Sequence, residues 1–173
     1  MQLTLTQLLA IMPNARAKAG IFLPALNAAM LEFGITTSAR QASFLSQVGH
    51  ESGQLRYVRE LASGQAYEGR TDLGNTLRGD GVRFRGRGLL QVTGRANYAA
   101  CGKALGLDLL DQPELLELAV NACRSAGWFW QSRGLNALAD SGDQVKVTRR
   151  INGGTNGLAE RLALFAVAQR VLV

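Results

Sequence analysis

A mainly α-helical single domain with an irregular, glycine- and arginine-rich middle is the fold this sequence predicts. Three observations predict it. Apolar residues recur at helical spacing in both halves of the chain. That periodicity vanishes between Gly64 and Gly88, where glycines crowd the sequence. The length of 173 residues and a hydrophobic fraction of 47% fit one domain, residues 1–173, with its own core.

The elements follow in order. Leu5, Leu8, Leu9 and Met12 form a short amphipathic stripe that Pro13 ends. A second helix runs from Ile21 to Phe33, with Leu23, Leu26 and Met30 inward, and Gly34 closes it. Ser38 is the expected N-cap of a third, which carries Phe44, Leu45 and Val48 to about Ser52. The stretch from Gly64 to Gly88 reads as a long loop, with a small hairpin around Arg83 to Val92. Loops this long in compact domains are usually functional. Helices then return at Ala96 to Leu105, Pro113 to about Arg133, Asp143 to Ile151 and Gly157 to the end. Pro113 suits a first turn, with Glu114 and Glu117 near its positive end, and Ala122, Ala126, Phe129 and Trp130 supply core.

The net charge is +6 and the pI about 10.0. Of 19 basic residues only Lys18, Lys103 and Lys146 are lysine, which leaves 16 arginines. Such a surface favours an anionic partner: nucleic acid, a membrane surface or an acidic cell-wall polymer. No apolar run approaches the roughly 18 residues needed to cross a bilayer. Met1 to Met12 has no basic region and no small-residue cleavage site, so synthesis in the cytoplasm is expected.

His50 is the single histidine, which excludes any metal site built on two histidines. A Cys-His endopeptidase needs His50 beside Cys101 or Cys123. Both cysteines stand in apolar helical contexts and read as buried free thiols.

The carboxylates are more informative. Three positions after Val48 the apolar stripe meets Glu51. Glu51 is either a solvent-facing residue at a helix end or a partly buried carboxyl on a cleft wall. Desolvation disfavours the charged form, which suits a general acid at neutral pH. Glu60 stands nine residues on. An unbroken helix would put it about 13 Å away and facing the other side. A break near Gly53 is therefore needed before both can face one cleft. The ordinary alternative for Glu60 is an ion pair with Arg56 or Arg59, and Glu68 competes as the second carboxylate. Two carboxyls across a cleft are the minimum machinery of glycoside hydrolysis, and the mechanism needs no metal or organic cofactor.

The segment Arg83 to Tyr98 is the most distinctive in the chain. Its arginines with Phe84 and Tyr98 allow a nucleic-acid-binding reading. Gln91 and Thr93 alternate with Leu90 and Val92, as in a strand with one polar face that could line a sugar cleft.

Taken together, Gly49-His-Glu-Ser-Gly53, Arg85-Gly-Arg-Gly-Leu-Leu-Gln-Val-Thr-Gly94 with Asn97-Tyr98, and Ile151-Asn-Gly-Gly154 resemble chitinase-like glycoside hydrolase family 19. The spacing of Glu51 and Glu60 resembles the compact endolysins of phages infecting Gram-negative bacteria. The resemblance implies a lysozyme-like, two-lobed helical fold and an inverting mechanism. It implies Glu51 as general acid, Glu60 as general base and Thr93 as a holder of the attacking water. It also implies that His50, Gln91, Asn97, Tyr98 and Asn152 contact sugar, and that Arg161 pairs with a cleft carboxylate. The long loops and disulfides of plant chitinases are missing, and the loop from Glu60 to Gly81 is short. The expected function is a monomeric peptidoglycan-degrading glycosidase with no nucleic-acid partner, released to the cell wall by a holin. A chitinase and a basic nucleic-acid-binding module are the alternatives.

Overall fold

The computed structural model describes residues 2–172; Met1 and Val173, within the expected domain and last helix, lie outside the described residues. The described residues form nine α-helices. They are α1 (Leu5–Ile11), α2 (Ala19–Glu32), α3 (Ser38–Glu51), α4 (Asp80–Arg83), α5 (Arg95–Leu105), α6 (Ala119–Ser132), α7 (Leu135–Asp140), α8 (Gln144–Asn152) and α9 (Leu158–Val171). The fold is the mainly helical one expected, with almost no strand.

Local chemistry sets most helix ends. Thr4 and Gln7 make a capping box at the start of α1. Gly34, at φ 68°, takes the chain out of α2. Thr37 rather than Ser38 caps α3, its hydroxyl accepting from the Arg40 N–H at 3.2 Å. Asp143 caps α8 through the Lys146 N–H. The helix expected from Pro113 is broken. Pro113–Glu117 is a 3-10 turn, Leu118 is extended, and α6 starts only at Ala119. Glu117 does not serve a helix terminus but binds the Arg87 guanidinium at 2.8 Å, a tertiary contact that overrides local preference.

Helix α3 is the centre of the molecule. It packs chiefly on α9 and also touches α1, α7 and α8, while α2 and α5 pack on α6. Every residue from Gln41 to Gly49 is buried. Phe44 meets Trp130 edge-on at 5.3 Å. The buried polar residues of α3 face neighbouring helices that supply partners. Ser43 donates to Gln144 at 2.9 Å, and Gln47 donates to Thr148 at 3.3 Å.

After α3 the chain turns through Gly53, Gln54 and Leu55, all left-handed at φ 57°, 60° and 67°. For Gln54 and Leu55 this costs roughly 1 kcal/mol or more each. Anchors hold it: Leu55 is fully buried and its N–H donates to Ser52 Oγ at 2.8 Å. Gln54 Oε1 accepts from the Asn14 N–H at 2.9 Å.

The expected hairpin from Arg83 to Val92 shrinks to one antiparallel bridge between Arg87 and Val92, with Arg59 bridged to the other side of Arg87. Arg83 belongs to α4, and the Gly94 N–H leaves the ladder to bond Phe84 O at 2.8 Å. Further along, buried Asp80 accepts two bonds from Arg95, at 2.6 and 2.9 Å. Buried Asn75 ties Tyr67 O to the Arg95 N–H.

Candidate active site

A cleft of about 500 Å³ opens where α3 ends. Glu51, Ile151 and Asn152 stand on one part of its wall, with Trp128 and Phe129 of α6 and Arg133 just beyond the end of that helix. Tyr67, Leu73, the run from Leu90 to Thr93, and Asn97, from the irregular middle and α5, complete it.

Glu51 is the last residue of α3. Arg161 rises from α9 and bonds its carboxylate, the kind of pairing that the resemblance implies. The Arg161 guanidinium is itself nearly inaccessible and also bonds Gln47 Oε1 and Asn156 O. One residue earlier, His50 Nδ1 pairs with Glu160 Oε2 at 2.7 Å. Two side-by-side pairs thus join the end of α3 to the start of α9. Gly157 permits this, since a Cβ there would lie 2.1 Å from the His50 ring. His50, expected to contact sugar, does not line the cleft; its ring is taken up by Glu160 and Gly157.

Glu60 lies beyond the left-handed turn. The alternative, an ion pair with Arg56 or Arg59, is not seen among the described residues. Instead the Tyr67 hydroxyl donates to Glu60 Oε2 at 2.9 Å, and Oε1 is buried without a partner. The Glu60 N–H donates to Gly86 O at 3.0 Å. Glu60 does not itself line the main cleft; Tyr67 does, and joins the two. Burial, then the bond to Glu60, holds the Tyr67 phenol above the ordinary tyrosine range, so it stays a donor. Glu68 is committed elsewhere: its two carboxylate oxygens accept from the Gly79 and Gly81 N–H groups at 2.6 and 2.9 Å.

Gln91, Thr93, Asn97 and Asn152 all reach the cleft. Asn97 Nδ2 donates to Thr93 O at 2.7 Å. Tyr98 does not reach it. Tyr98 is fully buried against Phe84 at 5.2 Å, its hydroxyl donates to Arg85 O at 2.6 Å, and burial pushes the phenol up to about 12.

The arginines of the Arg83–Arg95 segment are mostly occupied within the fold. Arg83 donates to Leu110 O and Asp111 O, Arg87 to Glu117, Arg83 O and Tyr98 Oη, and Arg95 to Asp80. With Phe84 and Tyr98 buried as well, no stacking platform for bases remains in this segment. Cys101 and Cys123 are free and buried, and burial pushes both thiols up, Cys101 to about 12. The thiolate a Cys-His endopeptidase requires is thereby disfavoured.

Sequence reading missed Tyr67, Trp128 and Arg133. Three successive aromatics at Trp128, Phe129 and Trp130 were the available signal, since helical spacing of about 100° per residue cannot put all three in one core. Trp130 is core, while Trp128 and Phe129 reach the cleft, and Arg133 stacks 3.9 Å from the centre of the Phe129 ring.

Residues 28–172 match the family described as Chitinase class I. A Haemophilus influenzae protein, described as a glycosyl hydrolase family 19 domain-containing protein, is 36% identical over 176 residues. That match covers 82% of this chain and 84% of the relative. An Arabidopsis thaliana endochitinase is 36% identical over 122 residues, 70% of this chain. The match takes in only 41% of that plant relative's own length. Among solved structures, a bacterial family 19 chitinase superposes with a TM-score of 0.80 at 23% identity, covering 99% of this chain and 95% of its own. Chitinase C from Streptomyces griseus gives 0.77 at 24% identity, covering 98% and 76%. The two structures share the helical, lysozyme-like fold. The chain belongs to glycoside hydrolase family 19 and is a chitinase-like glycoside hydrolase.

Proposed function

We propose that this glycosidase degrades peptidoglycan, as a phage endolysin does, cutting the β-1,4 links of the glycan strand with inversion. The carrying observation is the separate seating of its two carboxyls, Glu51 against Arg161 and Glu60 against Tyr67. Glu51 gives its proton to the leaving glycosidic oxygen. The carboxylate left behind already faces a buried guanidinium, so its new charge is stabilised as it forms. Glu60 takes a proton from a water that attacks the anomeric carbon from the opposite face. Oε2 is steadied by Tyr67, and Oε1 has no bond within the protein. Thr93 and Gln91 stand in the cleft where they can orient water and sugar, and Asn97 and Asn152 extend the polar wall.

The net charge of +6 supports an anionic substrate. A chitinase acting on uncharged poly-N-acetylglucosamine is the second reading, favoured by the names of the plant and Streptomyces relatives. No helix among the described residues is long and apolar enough to cross a membrane. On this reading a separate pore-forming factor, a holin, gives the enzyme access to the wall. The test is mass spectrometry of fragments released from purified sacculi and from chitin oligomers, with Glu51→Gln in parallel. The reading requires fragments from sacculi, and their near-total loss in folded Glu51→Gln. Proton NMR of the first-formed reducing end should show the α-anomer. Cleavage of chitin alone would replace the substrate assignment, and a β-anomer would refute inversion.

A further inference from the structure

Arg85 is the exception among the arginines of its segment. Among the described residues its guanidinium has no hydrogen-bond or ion-pair partner, and its Nε is sealed from solvent. A buried donor left unpaired is costly, so such a group calls for a ligand. Arg85 lines a second cavity, of about 290 Å³, together with Arg56, Arg59, Glu60 and Glu117. The acidic residues answer the basic ones only in part. Glu117 is committed to Arg87 at 2.8 Å and reaches Arg59 only at 3.6 Å. Glu60 Oε2 is taken by Tyr67, and its Oε1 leaves Arg85 unpaired. Arg56 does no more than stack over Tyr57 at 5.5 Å. Unpaired Arg85 and Arg56, with Arg59 held only by the 3.6 Å pair to Glu117, therefore surround a hollow whose wall includes the expected general base. The planar fork of a guanidinium matches a carboxylate in two parallel bonds.

We propose that Arg85, with Arg59 and Arg56 around it, forms a carboxylate-recognition subsite beside Glu60 that receives an acidic substituent of the glycan strand. This rests on the peptidoglycan reading, which supplies such substituents: the lactyl carboxylate of N-acetylmuramic acid, or a carboxylate of the attached peptide. Chitin carries neither. The subsite would separate the two polymers by charge, a distinction that sugar contacts in the main cleft do not make.

The experiment is calorimetric binding to Glu51→Gln, which does not consume its ligands. The probes are a peptide-free tetrasaccharide containing N-acetylmuramic acid, its methyl ester, and the same sugar carrying a stem dipeptide with its carboxylates free or esterified. A free acid should bind about tenfold tighter than its ester, the worth of a charge-assisted hydrogen bond. Adding Arg85→Gln should bring that ratio to about one, and exposed Arg59→Gln should lower it without threatening the fold. Discrimination confined to the peptide-free pair assigns the site to the lactyl group; confined to the dipeptide pair, it assigns the site to the peptide. Equal binding of acid and ester in both pairs overturns the proposal. So does an Arg85→Gln variant that loses turnover equally on acidic strands and uncharged chitin oligomers, which would place Arg85 in the service of Glu60. Binding ratios are independent of turnover, so failure to cleave sacculi tells against the substrate assignment while the subsite is judged separately.

Discussion

At the scale of single residues, the site depends on how each carboxyl is held. Arg161 is a fully buried cation whose bonds go to Glu51, Gln47 and Asn156, so it cannot swing away without leaving charge unpaired in the interior. Tyr67 does lighter work for Glu60, with one hydroxyl bond of 2.9 Å. Tyr67→Phe keeps the ring on the cleft wall and removes only that bond. Turnover should fall about tenfold or more, the range of a bond to a charged group, with KM little changed. Steady-state kinetics on a soluble oligosaccharide checks this, and a raised KM with unchanged kcat would make Tyr67 a sugar contact instead.

At the scale of elements, the bridged segments at Arg59, Arg87 and Val92 present Gln91 and Thr93 to the cleft while Leu90 and Val92 are buried. Gly86 makes this possible. A Cβ there would meet Gln91 Oε1 at 2.1 Å and Thr93 Oγ1 at 3.2 Å, while its carbonyl receives the Glu60 N–H. Gly86→Ala should push the end of the Gln91 side chain aside and leave the Glu60 backbone bond in place. The expected result is a severalfold rise in KM with stability within about 1 kcal/mol, read from kinetics and a denaturation curve. The apolar spacing that placed α2 and α3 was legible in the sequence. The strand alternation was not the reason Gln91 and Thr93 reach the cleft, since Gln91 sits in a left-handed turn at φ 54° and Leu90 and Val92 line the same cleft. The break at Leu118 was not legible, because Glu117 answers to Arg87, thirty positions away in the chain. Nor was the burial of Tyr98 or the seat of His50, since each depends on what another segment brings near. Helix α7, with six residues, is too short for an apolar period to show.

At the scale of the whole molecule, the irregular middle is held by ion pairs and polar anchors rather than by regular structure. Asp80, only 2% exposed, is held below the ordinary carboxylate range chiefly by its bonds to Arg95. A depressed carboxyl stabilises the fold above its unfolded value, about 3.9, and loses that contribution as pH falls through the lower folded value. Asp80→Asn should therefore cost about 2–3 kcal/mol at pH 7, and the gap to the unaltered protein should narrow below pH 3. Urea unfolding at the two pH values measures it, and a gap that stayed constant would remove Asp80 from the acid response. The same architecture divides the two carboxyls between regions of different motion. Glu51 ends the most deeply enclosed helix, whose amides can exchange hydrogen with solvent only when much of the protein opens. Glu60 lies outside any helix, in a stretch tied to the chain around Gly86 by two backbone bonds, Glu60 N–H to Gly86 O and Gly88 N–H to Val58 O, where opening needs far less. Deuterium should thus enter the chain around Glu60 long before it enters α3. Slow breathing of the cleft would then carry the base away from an acid that stays still.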